Sequence, residues 1–318
     1  VQIKLVELAP VVIIAGPTAS GKSALALEIA KQFDGEIINA DSMQMYRELS
    51  VLTARPSREE EKQVPHHLFG AVPAEEPCSA GKWLELANAT IGDIHSRNKL
   101  PVVCGGTGLY LKVLTEGMAD IPDVAPEVIK EAETLYQSLG SELFVAKLSE
   151  LDPESASRLA PSDRQRLIRA YGVVTATGKC LSDWHKKQPT QAPLNVRFFI
   201  LHLMPDRAAL YQKIERRFDR MVASGGMEEV RKLADLALSP SLPAMKALGV
   251  PELLEVLAGS MSIELAVDHA KQTTRNLAKR QFTWFRNQGE RDMVIEQFGT
   301  DAVDQGIHAV SDFLTNSR

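Results

Sequence analysis

The chain has 318 residues, 44% of them apolar and 24% charged, with a formal net charge of −5. This is the composition of a folded globular protein long enough for two domains, and it excludes disorder as the main state. The acidic balance also excludes a whole-molecule pull toward nucleic acid, so any such binding has to use local patches. Cys78, Cys104 and Cys180 are far apart, odd in number and free of C-x-x-C spacing, which points to a reducing compartment, a cytoplasmic location and no structural zinc. The charged start at residues 1–7, with no apolar run approaching the ~20 residues of a membrane span, predicts neither a signal peptide nor a membrane helix.

In chain order, the apolar run Val11 to Ala15 predicts a strand. It opens directly into Gly16-Pro17-Thr18-Ala19-Ser20-Gly21-Lys22-Ser23, a complete G-x-x-x-x-G-K-[ST] phosphate loop. Its glycines let consecutive backbone N–H groups turn inward around phosphate oxygens, Lys22 supplies a point charge, and the Ser23 hydroxyl is placed to ligate Mg2+. The amphipathic segment Ser23 to Phe33, with Leu25, Ile29 and Phe33 apolar, predicts a helix that adds its positive end to the loop. Residues 16–23 are therefore the candidate site for a phosphorylated ligand.

A second strand, Glu36 to Ala40, leads into Asp41-Ser42-Met43-Gln44-Met45-Tyr46-Arg47. A carboxylate at the carboxyl end of a parallel strand can accept a proton or bind magnesium; Asp41 could equally cap a following helix. The pair His66-His67 is a weak metal signal, because no H-x-x-x-H spacing occurs. A helix over Ala80 to Arg97 precedes a third strand, Pro101 to Cys104. That strand ends in Gly105-Gly106-Thr107-Gly108-Leu109-Tyr110, where the glycines permit close backbone approach to a ligand and Thr107 offers a hydroxyl, or where the chain merely makes a tight turn. Strands separated by helices predict an α/β fold with a parallel sheet flanked on both faces.

Pro122, Pro126, Asp120 and Asp123 mark a change of character, and Glu127 to Thr177 reads as helices with no strand. The predicted organisation is a discontinuous core of residues 1–117 and 196–318, interrupted by an all-helical insertion over 118–195. The core resumes with a strand, Val196 to Leu203, and a helix, Arg207 to Ser224, whose Ile214-Glu215-Arg216-Arg217-Phe218-Asp219-Arg220 stretch could send an arginine to the phosphate loop. Helices over Met227 to Leu238, Pro251 to Leu257 and Ile263 to Asn287 follow, and the final thirty residues carry no chemical motif. Two stretches break the acidic average. Between Arg158 and Lys187, seven basic residues face two acidic ones, and between Asp268 and Arg291 six face two, with Phe282, Trp284 and Phe285 interleaved. Such patches suit an RNA backbone and unstacked bases; the bland alternative is a solvated helix face with core aromatics.

The phosphate loop, Asp41-Ser42-Met43-Gln44, Thr53-Ala54-Arg55-Pro56, Pro65-His66-His67-Leu68, Gly105-Gly106-Thr107-Gly108-Leu109-Tyr110 and Ala278-Lys279-Arg280-Gln281-Phe282-Thr283-Trp284 occur in that order. Together they closely resemble bacterial tRNA dimethylallyltransferases over most of the chain. The resemblance implies a P-loop NTPase-like core and transfer of a dimethylallyl group from dimethylallyl diphosphate to N6 of adenosine 37, beside the tRNA anticodon. ATP is not expected as substrate. It implies Asp41 as the base, Thr107 as a hydroxyl near the reacting groups and Arg217 as the diphosphate clamp, with Mg2+ held by Ser23. It further assigns Asp41, Ser42, Met43, Gln44 and Thr107 to the flipped adenine and its neighbours. Gln165, Arg166, Leu167, Ile168 and Arg169, with Lys279 and Arg280, fall to the tRNA anticodon stem-loop. A monomer without membrane attachment is expected. The sequence departs from the family at Arg55, commonly Lys, at Cys78, commonly aromatic, and at Val250, where an aromatic usually follows the Gly. A P-loop kinase acting on a nucleotide or small molecule would share the loop, sheet and helical lid. An ATP-switched RNA-binding protein is a further reading, against which the intact Asp41 and Thr107 speak.

Overall fold

The computed structural model describes residues 8–186 and 194–316. Residues 1–7 and Lys187 of the first basic stretch lie outside them. The chain divides into two compact units, residues 1–115 with 193–318 and residues 116–192.

The first unit is built on β1 (Ala9–Ala15), α1 (Lys22–Gln32), β2 (Gly35–Asn39), α2 (Arg58–Gln63), β3 (His66–His67), α3 (Ala80–Ser96), β4 (Leu100–Gly105) and α4 (Gly108–Glu116). The second contains α5 (Pro126–Leu139), α6 (Ser141–Ser149), α7 (Pro153–Arg158), α8 (Arg164–Thr177) and α9 (Leu181–Lys186). The first then resumes with β5 (Val196–Leu203), α10 (Arg207–Met221), α11 (Met227–Asp235), α12 (Val250–Leu257), α13 (Ile263–Asn287), β6 (Met293–Ile295) and α14 (Thr300–Thr315).

The six strands form one sheet in the order β3-β2-β4-β1-β5-β6 with every pairing parallel. A strand buried on both faces must be apolar at every position, and β1 shows how its pleat divides the core. Val11, Ile13 and Ala15 join α3 and the α11–α13 layer on one face. Val12 and Ile14 join α1 and α14 on the other.

Sequence periodicity predicts β1, β2, β4 and β5 but not β3 or β6. The latter two are two and three residues long, too short to show any alternation. The helix predicted over Arg207 to Ser224 stops at Met221. The backbone breaks at Ser224 and Gly225, the latter at φ +107°, before α11 begins. That break brings Gly226 against Leu52, where a Cβ would stand 3.0 Å from Leu52 Cδ2. In the final thirty residues α14 packs on α1, with Gly306 pressed against Leu25.

Registers place the ends of three neighbouring strands level. Ala15 of β1 pairs with Gly105 of β4, and Asn39 of β2 pairs with Cys104. The phosphate loop, the Asp41 turn and the Gly106-Thr107-Gly108 turn therefore leave one edge of the sheet together, the edge where open parallel sheets bind ligands. Gly105 makes the crowding possible. A Cβ there would lie 2.1 Å from the backbone of Ala40. A backbone neighbour cannot rotate away, so Gly105→Ala should lower the stability of this unit by about 1–3 kcal/mol, the usual cost of overpacking. A shift of the urea unfolding midpoint measures it, and an unchanged midpoint would contradict the packing.

The helical unit encloses its own core of Ala132, Phe144, Leu148, Leu167, Ile168 and Ala170. Fully buried Asp152 ties α7 to α9. Its carboxylate accepts from the N–H and hydroxyl of Ser155 (3.0 and 2.6 Å) and from the hydroxyl of Ser182 (2.9 Å). Burial pushes this carboxyl up, but the bonds from Ser155 and Ser182 outweigh it and hold it below the ordinary value.

Candidate functional site

The phosphate loop wraps back on itself at Gly16 (φ +150°), Ala19 (φ +64°) and Gly21 (φ +100°). Gly16 is irreplaceable on space as well as angle, because a Cβ would meet Leu203 O of β5 at 2.4 Å. Gly21 is the N-cap of α1 and provides no side-chain cap. The first N–H groups of α1 are thus left for a ligand, which suits an anion. Ser20 Oγ is buried without a hydrogen-bond partner among the described residues, a second sign of a cradle built for something polar.

Lys22 curls over the loop and donates to Pro17 O at 2.7 Å. Its ammonium is enclosed, and desolvation pushes it down to about 8, partly offset by Cys104 and Asp41. Arg217 reaches in from α10 and donates to Thr18 Oγ1. Desolvation depresses the enclosed guanidinium as well, with Asp41 acting in the opposite direction. The loop thus holds two poorly hydrated cations, a state that an anion relieves.

Asp41 is shaped by Asn39, which is wholly buried and which sequence reasoning did not single out. Asn39 Oδ1 accepts from Asp41 N (2.8 Å) while its Nδ2 donates to Asp41 O (2.9 Å) and Leu68 O (3.0 Å). Trp83 Nε1 donates to Asn39 O at 2.8 Å, and the Trp83 ring stacks on Tyr110 at 4.5 Å. Asp41 Oδ1 accepts from Met43 N at 3.0 Å, so the carboxylate is fixed at one oxygen, with Lys22 and Arg217 as neighbouring charges.

A cleft of about 850 Å³ joins these parts. It is lined by Thr18, Lys22 and Ser23 of the loop and α1, by Asp41 and Gln44, by Thr53, Ala54 and Pro56, and by Lys213, Arg216, Arg217 and Arg220 of α10. Gln44 donates from Nε2 to Thr53 O (2.9 Å) and Ala54 O (3.1 Å). That wall is held from behind by Glu229 of α11. Its carboxylate accepts from Ser50 N, Ser50 Oγ, Val51 N and Leu52 N at 2.6–2.9 Å. Cys104 closes the floor, its thiol pushed up to about 11 by burial.

Thr107 is not among the residues lining the cleft. Its Oγ1 accepts from Ser42 N at 2.9 Å and donates to Ser42 Oγ at 3.3 Å. The hydroxyl thus holds the Asp41 turn. Gln281 is the residue that sequence reasoning missed. Its Oε1 accepts from Thr18 N and its Nε2 donates to Gly106 O, both at 2.8 Å. One carboxamide of α13 therefore joins the phosphate loop to the β4 turn, and Gly106 and Gly108 are bare because Gln281 and Trp284 pack directly on them. The signal was available in the sequence: Gln281 is the polar residue on the apolar stripe of Ala278, Phe282 and Phe285.

Other expectations fall outside the cleft. In α8, Gln165 and Arg166 are exposed and Arg169 half-buried, whereas Leu167 and Ile168, assigned with them to tRNA, have side chains in the core. In α13, Lys279 and Arg280 are exposed. Phe282 and Phe285, for which base stacking and core packing are the two readings, are buried against α10 and the main core. His66 borders the cleft but its Nδ1 meets Val64 O, and His67 pairs with Glu36. No cluster of three or more metal-ligating side chains occurs among the described residues. Val250 is fully buried at the start of α12, so its departure from an aromatic is absorbed by the core.

Magnesium fits this donor set. It keeps most of its ligands as water and phosphate oxygens, and Ser23 and Asp41 border the same cleft as the anion cradle.

An anion in the loop favours charged Lys22, so affinity for inorganic diphosphate should be full below pH 8 and fall as pH rises through that value. Between pH 7 and pH 9 the expected loss is about tenfold. Calorimetry on the wild type and Lys22→Met checks it, the ratio cancelling titration of the diphosphate itself. A ratio flat across that range would contradict the enclosed ammonium.

Comparison with known proteins identifies the family. The family described as IPP transferase matches residues 44–288, and that described as isopentenyl transferase matches residues 9–67. The tRNA dimethylallyltransferase of Rhodospirillum centenum is 52% identical over 279 residues, 88% of this chain and 89% of that one. Among solved structures, the full-length tRNA isopentenylpyrophosphate transferase of Bacillus halodurans is 32% identical with a TM-score of 0.68, over 98% of this chain and 97% of that one. A eukaryotic dimethylallyltransferase acting on tRNA is 27% identical with a TM-score of 0.83, over 98% of this chain and 80% of that one.

Proposed function

Because the chain belongs to the IPP transferase family of tRNA dimethylallyltransferases, we propose that it transfers a dimethylallyl group from dimethylallyl diphosphate to N6 of adenosine 37, beside the anticodon of tRNA. The observation that carries this reading is that Lys22, Arg217 and Asp41 line one cleft. A double cation and a carboxylate so placed serve the two ends of one displacement.

In the reaction, the C1–O bond of the donor breaks and the N6–C1 bond forms. Diphosphate takes the bonding electron pair, and N6 loses a proton. Negative charge grows on diphosphate, where Lys22, Arg217 and the first N–H groups of α1 stabilise it. Magnesium, held by Ser23 when bound, supplies additional neutralisation of that charge. The Asp41 oxygen not occupied by Met43 N–H accepts the proton. Gln44, whose two N–H bonds to the 53–54 backbone fix its carboxamide, offers Oε1 to the adenine. Ser42 and Met43, on the turn held by Thr107, would meet the neighbouring bases. The target base must leave its stack, which costs a few kcal/mol and less in an unpaired loop.

The exposed Gln165 and Arg166 and the half-buried Arg169 of α8, with Lys279 and Arg280 of α13, supply phosphate contacts on an otherwise acidic molecule. No helix among the described residues is long and apolar enough to cross a membrane. The protein is proposed to act as a monomer in the cytoplasm, where tRNA is available.

Incubation with labelled dimethylallyl diphosphate, magnesium and tRNA, followed by nucleoside analysis, should yield a dimethylallylated adenosine. Label passing instead from the γ-phosphate of ATP to an acceptor would replace this reading with a kinase. Asp41→Asn should lower turnover by about 10²-fold or more with tRNA affinity within a few-fold, and an unchanged rate would remove Asp41 as the base. Arg166→Ala with Arg169→Ala should weaken tRNA binding and reduce the slope of log affinity against log salt by about one to two. Loss of donor affinity with tRNA binding intact would refute the assignment of α8.

A further inference from the structure

The anionic ligand of the phosphate loop is served inside the cleft by Lys22 and Arg217, yet the rim carries three more cations. Lys213, Arg216 and Arg220 of α10 are exposed and line the same cleft. With Arg217 they fall at i, i+3, i+4 and i+7, a single stripe down one face of the helix. Like charges at these spacings repel, so the stripe is unfavourable for α10 alone.

The charge on α10 is sorted by face. Glu215 and Asp219 pair with Arg275 and Lys271 of α13, the latter at 2.6 Å. Asp219, which also borders the cleft, is thereby neutralised. Among the described residues no carboxylate forms an ion pair with Lys213, Arg216 or Arg220. Lys213 lies over the Phe298 ring at 3.6 Å, and Arg220 Nε donates to Arg216 O at 3.3 Å. Both contacts position a cation without cancelling it.

Resting on the function proposed above, we propose that the Lys213–Arg216–Arg220 stripe is a capture ramp for the donor diphosphate, leading it along α10 to Arg217 and the phosphate loop. A cleft lined by one sign of charge concentrates its counter-ion and accelerates association. An RNA backbone is the less suited occupant, because the cations assigned to tRNA, Lys279 and Arg280, do not line this cleft.

Stopped-flow binding of inorganic diphosphate with magnesium tests the ramp independently of any transfer chemistry. The triple variant Lys213→Gln, Arg216→Gln, Arg220→Gln should lose about tenfold in association rate constant at low ionic strength, with the dissociation rate changed less than about twofold. The difference from wild type should shrink toward nothing near ~0.5 M salt, where screening is nearly complete. A control variant with the same net charge, Lys31→Gln, Lys62→Gln, Lys232→Gln, should bind at the wild-type rate. An unchanged rate in the first variant, an equal loss in the control, or a loss of tRNA affinity with diphosphate binding intact would each overturn the ramp. Absence of modified nucleoside in the wild-type assay would overturn the transferase reading instead, leaving the diphosphate rates to be judged separately.

Discussion

Level pairing of β4 with β1 on one side and β2 on the other is the constraint from which the cleft follows. Parallel strands in register deliver their carboxyl ends to one edge, so the phosphate loop, Asp41 and Thr107 converge without long-range design of each loop. Convergence creates crowding, and the composition of the loops answers it. Gly105 accommodates Ala40, Gly16 accommodates Leu203, and Gly106 and Gly108 accommodate Gln281 and Trp284. The glycines of the β4 turn face protein rather than ligand. Their smallness serves the ligand indirectly, by letting α13 hold the turn and the phosphate loop in one hydrogen-bonded clamp.

Electrostatics in this unit are arranged by enclosure. Desolvation depresses both Lys22 and Arg217, while Asp41 between them works against that shift. The cleft therefore favours a bound anion over an empty cradle. On the outer side, α13 neutralises the carboxylates of α10 and leaves the opposite face of that helix basic. The basic stretch of the sequence over Asp268 to Arg291 is thus partly spent on structure. Lys271 and Arg275 fasten α10, and the later cations, Lys279, Arg280, Arg286 and Arg291, remain exposed.

In the helical unit the same separation holds. Arg158, Arg164, Arg166 and Lys186 each face a carboxylate at 2.6–3.7 Å, but these exposed pairs are weak and can be exchanged for phosphate. Asp152 is the opposite case. Buried and four-fold bonded by two serines, it belongs to the architecture of the unit.

Sequence by itself determined the motif of the phosphate loop, the parallel strands that flank it, the helices of residues 126–177 and the family, because each is written in local pattern: a loop motif, an apolar run, a helical period, a string of short motifs. It placed Asp41 at a strand end correctly and named Arg217 from the helix that carries it. Only the tertiary structure decided what Thr107, Leu167, Ile168, Phe282 and Phe285 do, since a hydroxyl, an aliphatic or an aromatic reads alike whether it meets substrate or core. The same holds for Asn39, Gln281 and Glu229, whose partners lie up to 263 residues away. Hydrogen bonds across such separations leave no periodicity and no spacing, and they exist only once the sheet has brought distant turns to one edge.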